Sequence, residues 1–294
     1  MRALITGSRG QVGHQLELTK PAGATILALT RAECDITDRE AILAAAQRFA
    51  PDVIINAAAY TNVDGAESDK ESASRINEKG AAHVADAAVQ TGARLIHIST
   101  NYVFDGSKSK PYTVTDRPSP LGIYGASKLA GEKAVLASHA SAAIVRTGWV
   151  YAETGTGFVH KILDRLRAGS ALRVVSDQVG TPTSAQDFAQ FLWACAERPP
   201  QVKLMHWTNS GVTSWYDFAV AIHELASERG IVSRDAEIQP VSSDDYNPPA
   251  KRPWYGVLDC YETWKTYGPA HHWRTALADT FDRLAALMPQ AQRG

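Results

Sequence analysis

The first 18 residues, MRALITGSRGQVGHQLEL, decide the fold class of this chain. The apolar run at residues 3–6 predicts a strand, and the turn after it carries Gly7, Gly10 and Gly13. Glycines at such points permit a tight turn, close approach of the backbone to a phosphate, and close packing of a helix on a strand. The helix that follows presents free N–H groups at its amino end, which favour an anion. The segment therefore predicts a strand, a phosphate-binding turn and a helix, with G-x-x-G-x-x-G spacing in place of the commoner G-x-G-x-x-G.

The pattern of the first half extends this unit. Helical stretches at 12–20, 38–49, 74–91 and 123–138 alternate with the strand-like runs ALIT, ATILAL, DVIINAAA, RLIHIST and AAIVRTGWVY. Buried apolar strands that alternate with helices predict an α/β fold with a Rossmann-like, doubly wound parallel sheet. Such sheets bind ligands at the carboxyl ends of their strands.

The second half is less regular. Helical stretches at 158–168, 185–197, 215–229 and 275–287 mix with short strands and the proline-rich loop DDYNPPAKRPWYG. We predict a dinucleotide-binding domain at 1–149 and a smaller α/β substrate-binding domain at 150–294, with 184–208 packing back onto the first. The tail after Met288 is expected to be frayed.

Composition excludes several classes of protein. The 294 residues carry a formal net charge of −1, which gives no electrostatic basis for binding nucleic acid or a membrane surface. The three cysteines, Cys34, Cys195 and Cys260, are far apart and form no CxxC pair, so neither a zinc site nor a disulfide framework is indicated. No apolar run approaches the roughly 20 residues of a membrane span. Because a predicted core strand starts at the first residues, we expect no signal peptide. We expect a protein of the reducing cytoplasm.

A catalytic pair is suggested by the run YGASKLAGE. Tyr124 and Lys128 are four residues apart on a predicted helix, so both side chains lie on one face. A lysine ammonium stabilises tyrosinate and is expected to lower the pKa of a phenol from its usual value of roughly 10. The phenol can then act as a general acid toward a substrate oxygen. The alternative, a helix-surface pair without function, stays open on this evidence alone.

Taken together, several motifs resemble those of the extended short-chain dehydrogenases/reductases, and among them the dTDP-4-dehydrorhamnose reductase family. The resemblance implies NADPH as hydride donor, with NADH possible, and a nucleotide-linked 4-keto-6-deoxy sugar as acceptor. It is compatible with a monomer or a homodimer. The motifs that carry it are GSRGQVG, PDVIINAAAYTNVDGAE, HISTNYVFDG, PLGIYGASKLAGE, RTGWVY, DQVGTPT and AKRPWYGVLD.

The resemblance also implies site residues. Thr100 is expected to hold the substrate oxygen or orient the phenol, Tyr124 to protonate that oxygen, and Lys128 to tune Tyr124 and hold the nicotinamide ribose. The sugar-side positions are Asn101, Tyr102, Trp149, Arg252 and Trp254. The cofactor-side positions are Gly7, Ser8, Arg9, Gly10, Gln11, Val12, Asp35, Ile36, Ala57, Ala58, Ala59, Tyr60 and Asn77, together with Tyr124 and Lys128.

The residues at the end of the second predicted strand indicate whether the site prefers NADPH or NADH. A dinucleotide site reads the ribose 2′ position about 20 residues past its glycine turn. Thr30 and Arg31 stand there instead of an acid, and an arginine suits a 2′-phosphate. Glu33 lies nearby, so dual use of NADPH and NADH stays open.

Three positions depart from the family pattern. Asn101 replaces the usual aspartate after the threonine, and Gly256 replaces the serine of RPxxSxLD. Gln15 stands where some members use a glutamate to bind magnesium across a dimer interface, and a neutral amide is a poor ligand for that ion. We therefore expect no metal and no need for a divalent ion in the hydride step.

Parts of the sequence are also compatible with other functions. A sugar-nucleotide dehydratase needs an Asp-Glu pair after the threonine, and Asn101 and Tyr102 argue against it. A 4-epimerase or a reductase of another deoxysugar nucleotide remains open. So does a non-catalytic NADP-binding regulatory subunit, since this fold also occurs in a partner of methionine adenosyltransferase.

Overall fold

The computed structural model describes residues 1–139, 141–233 and 235–287. The expected fraying after Met288 falls outside these residues. The strands are β1 (Arg2–Thr6), β2 (Thr25–Leu29), β3 (Val53–Asn56), β4 (Arg94–Thr100), β5 (Ala143–Thr147), β6 (Val150–Tyr151), β7 (Leu172–Val175), β8 (Val179–Gly180), β9 (Thr183–Ser184), β10 (Leu204–His206), β11 (Thr213–Ser214) and β12 (Ile238–Val241).

The same described residues also form helices. They are α1 (Gln11–Leu18), α2 (Arg39–Phe49), α3 (Val63–Ser68), α4 (Lys70–Ser74), α5 (Ala81–Thr91), α6 (Ile123–Ser138), α7 (Phe158–Arg167), α8 (Ala185–Glu197), α9 (Trp215–Glu228), α10 (Ser243–Tyr246), α11 (Tyr261–Tyr267) and α12 (Trp273–Leu287). A π-helical turn at Arg75–Gly80 joins α4 to α5, and a 3₁₀ turn at Asn101–Val103 follows β4.

The central sheet has six strands in the order β10-β5-β4-β3-β1-β2. Every neighbouring pair in it is parallel. The prediction of an α/β fold with a doubly wound parallel sheet is confirmed. The strand order reverses between β1 and β3, and ligands bind at such a reversal, outside the carboxyl ends of the strands.

Helices cover both faces of this sheet. Successive side chains of a strand point to opposite faces, so Leu4 packs with residues of α2, α5 and α6, whereas Ile5 packs with residues of α1 and α8. The indole N–H of Trp193 on α8 also donates to the Leu16 carbonyl at 3.0 Å. β10 and α8 thus bring residues from the second half of the chain onto the sheet. The domain boundary between residues 149 and 150 stays a prediction.

A second hydrophobic cluster lies in the remainder of the chain. It packs α7, α9 and α12 around Tyr151 and the parallel pair of β7 and β12. Within the described residues, no helix combines the length and apolar character that a membrane crossing requires.

The predicted helix at 74–91 is wrong in one respect. The structure has α4, then the π-helical turn Arg75–Gly80, then α5, in place of one regular helix. A π-helical turn contains one residue more than an α-helical turn, and the pattern of apolar residues does not show this insertion. Such turns are frequent at functional sites. Asn77, a predicted site residue, lies in this turn.

The predicted strand at 142–151 is also interrupted. β5 ends at Thr147, and Trp149 adopts the left-handed region with φ +52° before β6 begins. That conformation is strained for a bulky residue. The chain therefore changes direction at Gly148 and Trp149 and leaves the central sheet.

The packing of α6 on the π-helical turn generates a stability prediction. A Cβ on Gly131 would lie 2.0 Å from the Asn77 carbonyl oxygen. In an open helix, Gly→Ala stabilises by roughly 1 kcal/mol. Here we expect Gly131→Ala to destabilise by about 2 kcal/mol, because the helix must move away. Urea unfolding measures this, with Lys133→Ala on the exposed face as control. A Gly131→Ala protein as stable as wild type would contradict this account of the contact.

Candidate active site

The glycine turn after β1 is built by close backbone packing. Gly7 has φ +71°, and a Cβ there would lie 2.7 Å from the backbone of Ala58. A Cβ on Gly13 would lie 2.2 Å from the Gly7 carbonyl oxygen. Helix α1 begins after Gly10, whose position provides no side-chain cap. Uncapped N–H groups therefore stand at the carboxyl edge of the sheet, as the sequence predicted for a phosphate site.

A cavity of about 660 Å³ opens beside this turn. The structure brings five predicted cofactor residues to its wall, and the Gln11 Oε1 atom is buried there without a hydrogen-bond partner. The uncapped helix start and the glycine packing fit a dinucleotide pyrophosphate, whereas the unpaired amide oxygen needs a donor, which a phosphate does not offer. The predicted residues on the wall are Ser8, Arg9, Gly10, Gln11 and Thr30, with His14, Glu17, Ala28, Glu33, Thr154, Gly155 and Thr156 around them.

Sequence reasoning missed the loop at 154–156. The glycine-rich run TGTG after β6 was the available signal. A Cβ on Gly157 would lie 3.2 Å from the Gln11 side chain, so this loop packs against the start of α1. A segment from the second half of the chain thus completes the cavity.

The residues predicted to border the adenine, Asp35 and Ile36, make contacts within the protein. Asp35 accepts a hydrogen bond from the Thr37 N–H at 2.9 Å and pairs with Arg31 at 3.2 Å. Ile36 is buried against Gly80 in the hydrophobic core. The Glu33 carboxylate accepts from the Thr30 N–H at 2.8 Å, and hydrogen bonds from Thr30, first from its backbone, lower the pKa of Glu33.

Asn77 ties the loop after β3 to helix α6. Its Oδ1 accepts from the Tyr60 N–H at 2.8 Å, and its Nδ2 contacts the Tyr60 carbonyl at 3.1 Å and Ser127 Oγ at 2.9 Å. Ala58 belongs to the run 57–60 that is predicted to bind the cofactor, and it packs against Gly7. The residues Ala57, Ala58, Ala59 and Tyr60 thus follow β3, beside the glycine turn, while Val12 lies in the first turn of α1.

The three predicted catalytic residues meet at the carboxyl end of β4. Thr100 ends that strand. Burial raises the pKa of the Tyr124 phenol, and the Thr100 side chain lies close enough to the Tyr124 hydroxyl to lower that pKa in part. Lys128 lies one helical turn further along α6, is 3% exposed, and donates from Nζ to the Ile98 carbonyl at 2.7 Å. Tyr124 and Lys128 therefore share one face of α6, and the ammonium is fixed to the backbone of β4.

The pKa directions correct one expectation. Burial raises the pKa of Tyr124 to about 12, although the nearby Thr100 side chain lowers it in part. The predicted lowering of the phenol pKa by Lys128 is not found in this structure: Thr100 is the group that lowers it, and burial outweighs that effect. Burial also lowers the pKa of Lys128 to about 8, and the negative charge of Glu132 opposes that shift. The phenol is thus held protonated, which suits a proton donor.

A buried ion pair lies behind Lys128. Glu132, one turn further along α6, pairs with Arg146 of β5 through contacts of 2.6 Å and 2.8 Å. Ser99 donates to the same carboxylate at 2.5 Å. Sequence reasoning missed this trio, although Glu132 closes the quoted run YGASKLAGE. These contacts link α6 to β4 through Ser99 and to β5 through Arg146.

Two departures from the family pattern contact each other. The Asn101 amide is buried and donates to the Gly256 carbonyl at 2.9 Å. A Cβ on Gly256 would lie 2.6 Å from the Asn101 Nδ2 atom, so a serine at 256 conflicts with this arrangement. The Asn101 Oδ1 atom also accepts weakly from Thr100 at 3.4 Å. Asn101 is thus engaged within the protein, and its predicted role toward a sugar stays a prediction.

The other sugar-side residues have different surroundings. Tyr102 packs edge-to-face on Tyr124 with ring centroids 5.5 Å apart. Burial raises the pKa of Tyr102 overall, although the nearby Arg252 charge lowers it in part. Trp254 is 55% exposed. Trp149 stacks on Trp215 with centroids 3.5 Å apart, a partner that sequence reasoning missed.

Gln15 is the residue on which the prediction of no bound metal is based. This residue is buried and donates from Nε2 to Glu153 Oε1 at 2.5 Å. Among the described residues, no group of three or more His, Cys, Asp or Glu side chains is arranged to hold a metal ion.

The comparison with known families decides where this chain belongs. The family model described as the RmlD substrate binding domain matches residues 1–286. The chain belongs to this family. The resemblance predicted from the sequence motifs is confirmed.

Individual members of the family agree over almost the whole chain. A dTDP-4-dehydrorhamnose reductase of Mycobacterium tuberculosis is 44% identical over 288 residues, covering 94% of this chain and 91% of the relative. The structure of a Bacillus anthracis dTDP-4-dehydrorhamnose reductase in complex with NADP has a TM-score of 0.90 at 33% identity, covering 96% and 99% of the two chains. A probable dTDP-4,6-dihydroxy-2-methyloxan-3-one 4-ketoreductase of Streptomyces antibioticus is 35% identical, covering 100% and 99%.

The charges at the end of β2 predict cofactor affinities. We expect NADPH to bind at least as tightly as NADH, because the exposed Arg31 can pair with a 2′-phosphate. Arg31→Ala should weaken NADPH and spare NADH, while Glu33→Gln should favour NADPH by removing a nearby negative charge. Calorimetric titration measures both, with Arg48→Ala on α2 as control. NADH binding more than about tenfold tighter than NADPH would refute this prediction.

Proposed function

We propose that this protein is an NADPH-dependent reductase of a 4-keto-6-deoxy sugar nucleotide, dTDP-4-dehydrorhamnose, and forms dTDP-L-rhamnose. The observation that carries the proposal is the joining of Thr100, Tyr124 and Lys128 at the carboxyl end of β4. Relatives named as dTDP-4-dehydrorhamnose reductases, and one solved with NADP, support the choice of substrate and cofactor.

The cofactor would be held at the glycine turn. Ser8, Arg9, Gly10 and Gln11 would contact its pyrophosphate, and Lys128 its nicotinamide ribose. When bound, NADPH supplies a hydride for the sugar C4 carbon. The remaining chemistry is the work of side chains of this chain.

The proton step belongs to Tyr124. Its phenol donates a proton to the C4 carbonyl oxygen, so that the carbonyl becomes a hydroxyl and the phenol becomes tyrosinate. Thr100 holds that oxygen or the phenol by a hydrogen bond. The Lys128 ammonium stabilises the tyrosinate until solvent returns a proton. A placed general acid contributes about 10²–10⁴-fold, or roughly 3–5 kcal/mol of barrier.

The sugar nucleotide would lie against the remaining predicted residues. Trp149 and Tyr102 offer aromatic faces to the apolar face of a deoxysugar. Arg252 offers a guanidinium to the diphosphate. Trp254 is exposed on the same loop as Arg252, and it is available to the nucleotide.

A second substrate is favoured by one observation. Asn101 and Gly256 both depart from the family pattern, they are hydrogen-bonded to each other, and Asn101 follows Thr100 directly. The Streptomyces relative is named as a ketoreductase of a different dTDP-linked sugar. A reductase of another dTDP-deoxysugar is therefore the second candidate, and comparing kcat/KM for dTDP-4-dehydrorhamnose with that for a 2-deoxy analogue separates the two.

Cellular setting and assembly are part of the proposal. All three cysteines are buried and free, which suits a reducing cytoplasm. The protein would act there as a monomer or homodimer.

The assignment of Tyr124 predicts the behaviour of three variants. Tyr124→Phe should lower turnover by about 10²-fold or more and leave NADPH affinity nearly intact, because only the proton donor is removed. Lys128→Ala should lower turnover and weaken NADPH binding. Thr100→Val should cause a smaller fall. NADPH oxidation with dTDP-4-dehydrorhamnose measures turnover, and product NMR identifies the sugar.

The control for this series is wild type under conditions where chemistry limits the rate. If Tyr124→Phe keeps more than half of wild-type turnover there, the catalytic assignment is wrong. If wild type binds NADPH but turns over no sugar nucleotide, the regulatory-subunit alternative replaces the proposal.

The pKa of Lys128 predicts a pH dependence. Its ammonium is charged below about 8, so kcat/KM for reduction should be constant there and fall as the pH rises further. Tyr124, with a pKa of about 12, stays protonated over this range. Lys128→Arg retains a charge and should remove the fall, at lower activity. A wild-type profile that is flat from about pH 6 to about pH 10 would contradict the role of Lys128.

A further inference from the structure

The motif VDGAE at 63–67 has no role in the chemistry described above. It forms most of helix α3, and its two carboxylates, Asp64 and Glu67, are three residues apart on one face. Each contacts a different distant segment. Asp64 contacts the loop that carries Arg252, and Glu67 contacts the start of α6.

The contacts of Asp64 fix the Arg252 loop. Its Oδ2 accepts from Arg252 Nη2 at 2.8 Å, and its Oδ1 accepts from the Ala250 N–H at 3.2 Å. Arg252 Nη1 also donates to the Ala250 carbonyl at 3.0 Å. Residues 249–253 form no helix or strand. The ion pair and the backbone contact therefore determine where this guanidinium lies.

The same guanidinium reaches the catalytic tyrosine through one residue. Arg252 lies near Tyr102, where burial raises the phenol pKa and the charge of Arg252 lowers it in part, and the Tyr102 ring packs on Tyr124. A guanidinium has five N–H donors. The contacts to Asp64 and Ala250 leave donors for an anion.

Glu67 acts at the other end of this arrangement. Its Oε1 accepts from the Ile123 N–H at 2.8 Å. The residue before α6 is Gly122, which supplies no side-chain cap. An open N–H at a helix start requires an acceptor, and a carboxylate also interacts favourably with the helix dipole. Glu67, which lies on α3, thus caps the first turn of α6, the turn that contains Tyr124.

We infer that Asp64 and Glu67 are positioning residues with separate tasks: Asp64 holds Arg252 for the substrate diphosphate, and Glu67 fixes the start of α6 so that Tyr124 meets Thr100. This inference rests on the proposed function. One short helix then aligns the diphosphate ligand and the proton donor.

The separate tasks predict a split in kinetic parameters. Asp64→Asn should raise KM for dTDP-4-dehydrorhamnose about tenfold and leave kcat within about twofold, because it loosens only Arg252. It should weaken the binding of dTDP alone by a similar factor. Glu67→Ala should lower kcat about tenfold with KM and NADPH affinity nearly unchanged. Glu67→Gln, which keeps an acceptor oxygen, should restore most of kcat.

The control is Glu71→Gln, at an exposed acid of α4, which should change neither parameter. Circular dichroism and thermal unfolding show that each variant is folded. An unchanged KM and dTDP affinity in Asp64→Asn would overturn the role of Asp64. An unchanged kcat in Glu67→Ala, or a loss in Glu67→Gln as large as in Glu67→Ala, would overturn the role of Glu67.

Failure of the proposed function gives a different result. Wild type then turns over no dTDP-4-dehydrorhamnose, whereas the dTDP titration of Asp64→Asn against wild type still decides whether Asp64 positions Arg252 for a diphosphate.

Discussion

A buried positive charge at the carboxyl end of β4 constrains the rest of the site. The Lys128 ammonium donates to the Ile98 carbonyl, and the ion pair of Glu132 and Arg146 lies behind it. A buried ammonium is costly unless it is hydrogen-bonded and near an opposite charge. Removing Glu132 would leave Arg146 buried without its ion-pair partner and would take away the negative charge that favours the Lys128 ammonium. Tyr124 lies one helical turn before this charge, and its own burial keeps the phenol protonated.

Close packing holds α6 over this charge. Gly131 lets the helix approach the π-helical turn, and Asn77 in that turn hydrogen-bonds with Ser127. The same asparagine holds the backbone of Tyr60, so the loop beside the glycine turn and the helix with Tyr124 share one anchor. Cofactor and proton donor are therefore aligned by rigid elements, whereas Arg252 lies on an irregular loop that depends on α3.

Local patterns predicted what depends on nearby residues. The glycine turn, the alternating strands and the spacing of Tyr124 and Lys128 each lie within one segment, and the family resemblance added Thr100. Contacts between distant segments could not be predicted in this way: Asp64 meets a partner 188 residues away, and Asn101 meets one 155 residues away. The phenol pKa was mispredicted because spacing shows the charged neighbour and does not show burial. The break at Trp149 was missed because Val150 and Tyr151 continue a strand-forming pattern, although Gly148 marks a turn just before it.

The most direct test of this account follows the fate of one hydrogen atom. NADPH deuterated at both C4 positions is incubated with dTDP-4-dehydrorhamnose and the wild-type protein, and the product is examined by NMR. The account predicts dTDP-L-rhamnose with deuterium at the sugar C4 carbon, in an amount equal to the NADPH consumed. A sugar nucleotide without deuterium at C4, from protein shown to be saturated with the cofactor, would contradict it.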